Sequence, residues 1–133
     1  MSYLIDTNTC IYIIKKKPQS TLERLHQISL SQLSVSVITV AELAYGVRKS
    51  SFPDKNKIAL NEFLTPISIL NFDYAAAIQY GIIRNELERK GTPIGPLDML
   101  IAAHAISMKL ILVTNNVREF NRIDGLLMEN WTT

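Results

Sequence analysis

The chain has 133 residues, 47% hydrophobic and 20% charged, with 14 Lys and Arg against 12 Asp and Glu for a net charge of +2. Such a composition is that of one soluble globular domain able to bury a single ordinary core. It excludes nucleic-acid binding by bulk positive charge, and the lone Cys10 excludes an intramolecular disulfide and any cysteine-based zinc site.

Short apolar runs alternate with longer helical patterns. Tyr3-Leu4-Ile5 reads as a strand, followed by helices from about Thr9 to Ile14 and from Leu22 to Leu30. The β-branched run Leu33 to Val37 is a second strand, and Thr39 to Lys49 a helix. Lys57 to Leu64 is helical after Pro53, and Ile67 to Leu70 is a strand. Asp73 to Lys90 forms a long helix, with Asp73 as N-cap and Gly91 as its stop. Pro96 to Met108 is a helix with Pro96 near its first position. Leu110 to Thr114 reads as a strand buried on both faces, and a short strand near Leu126 to Met128 closes the chain. Alternating strands and helices imply a parallel sheet covered on both faces, with ligands bound outside the carboxyl ends of its strands. No linker, repeat or low-complexity segment divides residues 1–133. Asp6 interrupts the N-terminal apolar stretch, and no apolar run nears about 18 residues, so neither a signal peptide nor a membrane span is expected and the chain reads as cytosolic.

Three acids stand where a charge has least support. Asp6 ends the apolar run Tyr3-Leu4-Ile5, Glu42 lies within Val37 to Tyr45, and Asp98 heads a segment that stays apolar through Ala105. Burying a carboxylate is costly unless a cation compensates it. No Lys or Arg lies within five residues of Asp6 or Asp98, and the nearest to Glu42 is Arg48. Glu23, Asp54, Glu62, Glu86 and Glu88, by contrast, fall among Lys, Arg, Asn and Gln, as solvated helix faces do. A divalent cation is the simplest source of the missing positive charge. Hard cations such as Mg²⁺ and Mn²⁺ take oxygen ligands, and with only His26 and His104 a histidine-rich site is not expected. Attack of water on a phosphodiester is the chemistry such a site serves. Asn8, Thr114, Asn115 and Asn116 supply neutral groups that position water.

Each acid also has a local structural explanation. Thr39 and Glu42 fit a capping box, Asp98 in a first turn complements a helix dipole, and Asp6 can cap the helix after it. All three would, however, lie at the same sheet edge. Basic clusters at Lys15-Lys16-Lys17, Arg48-Lys49, Lys55 with Lys57, and Arg84 with Arg89-Lys90 suit a phosphate-bearing partner, or simply aid solubility.

The blocks Leu4-Ile5-Asp6-Thr7-Asn8, Thr39 to Gly46, Pro96 to Ala105 and Val113 to Phe120 resemble those of PIN-domain ribonucleases. The resemblance is closest to the VapC toxins of VapBC toxin–antitoxin modules, in the same order and over nearly the whole chain. It implies a three-layer α/β/α fold with a central parallel sheet of four to five strands, as a single PIN domain over residues 1–133. It further implies a Mg²⁺- or Mn²⁺-dependent endoribonuclease. Asp6, Glu42 and Asp98 occupy the family's first three acidic positions and would hold the metal; Asn116 replaces the fourth acid and would complete the site. Asn8 and Thr114 would hold water, and Glu119 would join if its loop turns inward. Cellular RNA is the implied substrate, with the C-terminal blocks resembling members that cut initiator tRNA in its anticodon stem-loop. A homodimer and a neutralising VapB antitoxin, through which the complex binds operator DNA, are the implied partners.

His104, six residues past Asp98, falls on another face of its helix and reads as a packed or interface histidine rather than a base. Cys10 reads as a small apolar residue, and Tyr45 and Trp131 as core or partner contacts rather than base-stacking platforms. Two other classes compete. A phospho-acceptor receiver domain would need an acidic pair after the first strand and a lysine after the last. A non-catalytic PIN-like binding module would have no use for costly carboxylates.

Overall fold

A computed structural model describes residues 2–133. The chain runs β1 (Tyr3–Ile5), α1 (Thr7–Ile14), α2 (Gln19–His26), β2 (Leu33–Ser36), α3 (Val37–Lys49), α4 (Pro53–Leu64) and β3 (Ser68–Leu70). It continues with α5 (Tyr74–Lys90), α6 (Pro96–Ser107), β4 (Ile111–Val113), α7 (Val117–Phe120) and β5 (Met128–Glu129). All five strands are parallel, in the order β3-β2-β1-β4-β5, so the expected three-layer α/β/α fold is borne out.

Side-chain alternation along the strands builds the layers. Tyr3, Ile5, Leu33, Val35, Ile111 and Val113 point into a core beneath α1 to α4, whereas Leu4 and Leu112 point into a second core with α5 and α6. The expected single core is therefore two, one on each face, as a sheet buried on both sides requires. Trp131 belongs to the first core: its ring meets Tyr3 edge-on at 5.7 Å and its indole N–H donates to Glu129 Oε1 at 3.0 Å. Arg24 of α2 donates to both Tyr3 Oη and Glu129 Oε1, which ties the C-terminal segment to α2.

Local chemistry sets the element ends. Asp73 caps α5 through the Ala76 N–H at 3.0 Å, and Gly91 ends it in the left-handed region at φ 70°. Pro96 opens α6 at its first position. Three expectations shift. The second helix spans Gln19–His26, and a 3₁₀ turn over Leu30–Gln32 replaces its expected end. The last strand falls on Met128–Glu129, where it pairs with Leu112 and Val113. Most consequentially, α3 begins at Val37: the Ser36 hydroxyl accepts from the Ile38 N–H at 3.1 Å and takes the N-cap expected at Thr39.

Truncating the second core should be expensive. Leu112→Ala removes a wholly buried side chain and should cost roughly 2–5 kcal/mol, whereas Ile58→Ala, at a position 61% exposed, should shift stability by no more than about 0.5 kcal/mol. Urea unfolding midpoints of the two variants compare them directly, and equal losses would overturn the division into two cores.

Candidate active site

The strand order reverses at β1, so the crevice between the carboxyl ends of β1 and β4 is the topological switch point of the sheet. Asp6 leaves β1 there. Its backbone N–H donates to Val113 O at 2.9 Å, and its carboxylate accepts from the Thr9 N–H at 2.8 Å as the N-cap of α1. The side chain is only 5% exposed. Burial pushes its pKa above the usual carboxylate value, although the Thr114 hydroxyl and the Thr9 amide pull it back and Glu42 adds repulsion.

Asp98 sits in the first turn of α6, half-buried. Its pKa is raised to about 6, first by burial and then by the charges of Glu119, Glu42 and Asp6 in that order. Four carboxylates, one capping α1 and the others on α3, α6 and α7, therefore share one field. None of the three ion pairs among the described residues, Arg24–Glu129, Arg84–Glu88 and Lys90–Asp124, includes any of them.

Glu42 lies within α3, and the Thr7 hydroxyl donates to its Oε1 at 2.5 Å across the α1–α3 boundary. Thr7 Oγ1 also stands 3.4 Å from the buried Thr39 hydroxyl. This corrects the capping-box reading: Thr39 and Glu42 are inside a helix capped by Ser36, and Glu42 reaches across to α1 instead of back to its own N-terminus. Asp6 does cap α1 and Asp98 does lie in a first turn, yet their pKa values rise because burial and like charge outweigh the helix N-terminus.

The other expected residues divide. Thr114 is buried and accepts from the Asn116 N–H at 3.0 Å, which places Asn116 at the mouth of α7. Glu119, on α7, is near enough for its charge to raise the pKa of Asp98. Asn8 is exposed on α1. Asn115 donates through Nδ2 to Tyr12 Oη at 2.9 Å. Thr7 and Thr39 were not anticipated; the signal for Thr39 is a hydroxyl three residues before Glu42 on one face of an otherwise apolar helix.

The donors gathered here are all oxygen, which fits a hard divalent cation. The softer groups lie elsewhere. His104 is fully buried, bonded through Nδ1 to Ser36 Oγ at 2.8 Å and edge-on to Phe72, and burial lowers its pKa. Cys10 is buried, and burial raises its thiol. Among the described residues no three His, Cys, Asp or Glu side chains close around one point, so the arrangement suits a cation that keeps water and substrate oxygens in its sphere.

This combination of sheet order and acidic switch point defines a nuclease of the PIN class, and residues 3–126 match the PIN domain family. The chain belongs to that family and, within it, to the VapC ribonucleases. It is 47% identical over 131 residues, 98% of each chain, to the tRNA(fMet)-specific endonuclease VapC of Salmonella typhimurium. It is 44% identical over 132 residues, 98% of each chain, to ribonuclease VapC2 of Rickettsia felis. The crystal structure of VapBC2 from Rickettsia felis bound to a DNA fragment from its promoter superposes with a TM-score of 0.93 at 43% identity, covering 98% of this chain and 99% of that one. Membership sets aside both the receiver and the non-catalytic readings. Among the described residues, no helix is long and apolar enough to cross a membrane.

The raised carboxyls give a pH signature in metal-free protein. Asp98 holds its proton more tightly folded than unfolded, so its contribution is fully present below its ordinary pKa of 3.8 and is lost as pH rises through about 6. Asp6 acts in the same direction. Thermal melts in EDTA should therefore show Asp98→Asn gaining on the parent at neutral pH and losing that gain near pH 4. An equal difference at both pH values would contradict the burial of this carboxyl.

Proposed function

We propose that this chain is the toxin of a VapBC-type pair: a Mg²⁺- or Mn²⁺-dependent endoribonuclease held silent by an antitoxin. The observation that carries this reading is the set of carboxylates at the switch point: burial and the neighbouring acids raise the pKa of Asp6 and Asp98, and among the described residues none of the set is in an ion pair. Asp6 and Asp98 would hold the cation, with Glu119 and Asn116 at its outer side. When bound, the cation neutralises the scissile phosphate and acidifies the attacking water.

The chain's own residues do the rest. Thr7 engages one oxygen of Glu42 and leaves Oε2 without a partner among the described residues, available to join the cation or to take a proton from the attacking water. The Thr9 amide and Thr114 hydroxyl keep Asp6 in place. Water attack with departure of the 3′ oxygen leaves a 5′-phosphate and a 3′-hydroxyl. The name of the Salmonella relative, a tRNA(fMet)-specific endonuclease, supports initiator tRNA as the substrate, and the proposed place of cleavage is its anticodon stem-loop. A homodimer is the proposed form of the free toxin. The Rickettsia complex on promoter DNA supports an assembly in which the antitoxin reaches operator DNA.

An antitoxin helix has a seat on this surface. A groove of about 330 Å³ runs between α1, α3 and α4, floored by Ile11, Ile14, Leu43, Val47 and Leu60, and Glu42 stands at its wall. Tyr12 does not line the groove and accepts instead from Asn115. A basic side chain following the antitoxin helix would meet the uncompensated carboxylates, where an arginine fork engages two at once.

Cleavage of stem-loop RNA by Asp98→Asn or Asp6→Asn should fall by more than the roughly 10- to 100-fold typical of losing a group beyond the metal ligands, with the circular dichroism spectrum unchanged. EDTA should abolish parental cleavage and Mg²⁺ restore it. Parental rates in either variant, or in EDTA, would end the metal-site assignment.

Ala59→Trp fills the groove from α4 with a bulky uncharged side chain. Titration calorimetry with the antitoxin should register at least a tenfold loss of affinity, about 1.4 kcal/mol, while cleavage by the free chain stays at the parental rate. Undiminished affinity would move the antitoxin to another face.

A further inference from the structure

Beside the acidic site, on the α6 side of α3, lies a second cleft of about 570 Å³ bounded by Thr7, Ile38, Glu42, Tyr45, Lys49 and Leu97. Tyr45 is not core, contrary to one expectation from the sequence. Its side chain is 66% exposed and belongs to neither core cluster. It stands one helical turn beyond Glu42, and Lys49 follows one turn later with Nζ 5.0 Å from the Tyr45 ring centroid. Leu97, itself 44% exposed, supplies an apolar wall from the first turn of α6, next to Asp98. An open aromatic face, a lysine and an apolar wall thus share a cleft with Glu42.

We propose that this cleft is a nucleobase subsite for the substrate RNA: an unpaired base adjoining the scissile phosphate stacks on Tyr45, and Lys49 contacts the backbone of that nucleotide. The reading rests on the nuclease function proposed above. Two features favour RNA over a protein helix as occupant. The cleft is continuous with the carboxylates, because Glu42 and Thr7 form its wall, so a strand whose phosphate lies at the cation must pass a flanking nucleotide across it. Its cation lies about 10 Å along α3 from Glu42, where a neighbouring phosphate needs a counter-charge. The ammonium lies over one side of the ring and the ring is largely exposed, which leaves its other side to a base. Stacking of this kind tolerates sequence but demands an unpaired base, so the subsite selects loops over duplex.

The test is steady-state cleavage of a stem-loop RNA and of a fully paired hairpin in Mg²⁺ buffer by the parent, Tyr45→Leu, Tyr45→Phe and Lys49→Gln, with antitoxin affinity measured in parallel. Tyr45→Leu should raise KM for the stem-loop roughly 5- to 100-fold with a smaller change in kcat, and Tyr45→Phe, which keeps the ring, should recover most of that loss. Lys49→Gln should raise KM and flatten the dependence of log KM on log salt by roughly one phosphate contact. Fluorescence titration of Tyr45→Trp in the Asp98→Asn background should show quenching by the stem-loop and little by the paired hairpin. If the parent cleaves and Tyr45→Leu matches its KM, the subsite is wrong while the nuclease reading stands. If Tyr45→Leu keeps its KM but loses antitoxin affinity, the cleft belongs to the protein partner. If the parent neither cleaves nor binds the stem-loop, both readings fail together.

Discussion

Mutual repulsion among carboxylates at the switch point is the constraint around which this molecule is organised. Glu42, Asp98 and Glu119 come from three different helices and Asp6 from the junction of β1 and α1, and among the described residues no lysine or arginine pairs with any of them. Left to themselves, such groups would separate or take up protons, and the pKa of Asp98, raised first by burial and then by its acidic neighbours, shows the second tendency. What prevents separation is the sheet. Asp6 is fixed between a strand and a helix by its backbone bond to Val113 and its side-chain bond to the Thr9 amide. Glu42 is held by Thr7, whose hydroxyl lies one residue from Asp6, so two of the acids are braced by adjacent positions of one turn.

The rigidity behind those braces comes from the two cores. In β1, odd residues feed one core and the even residue the other, and β4 repeats the pattern in register, Tyr3 with Ile111 and Ile5 with Val113. Sliding either strand by one residue would exchange the two faces and move Asp6 and Thr114 out of the crevice together. Stability and site geometry therefore rest on the same register. Short strands suffice because each residue is buried on both sides of the sheet and paired on both edges.

Much of this was legible in the sequence, and for a physical reason. Carboxylates in apolar surroundings without a cationic neighbour are visible one residue at a time, which is how Asp6, Glu42 and Asp98 emerge. Glu119 was harder, since Arg118 stands beside it and only the fold shows that its charge is felt at Asp98. Thr7 and Thr39 are ordinary helix residues until α1 and α3 are brought side by side. The start of α3 was misjudged because two hydroxyls compete for one cap. Ser36 prevails at the end of β2, and Thr39 is carried into the buried face of the helix. Tyr45 departs from the core setting for a similar reason: helical position alone does not say whether an aromatic ring meets a neighbour or solvent. Asn115 supplies the neighbour for Tyr12, whereas Tyr45, with Lys49 over one side of its ring, stays largely exposed.

α3 then acquires a particular role. One of its sides borders the apolar groove with α1 and α4, the other the cleft that holds Tyr45 and Lys49, and Glu42 belongs to both. On the proposed reading, a partner seated in the first groove needs no contact with the RNA-binding cleft to silence the enzyme. It has only to offer a cation to Glu42 and its neighbouring carboxylates, because the charge that attracts the metal also attracts the arginine. The two occupants compete for the same electrostatic deficit rather than for the same surface. Substrate recognition in one cleft and inhibition from the other can therefore change separately, while the carboxylates between them stay fixed by the requirements of the metal.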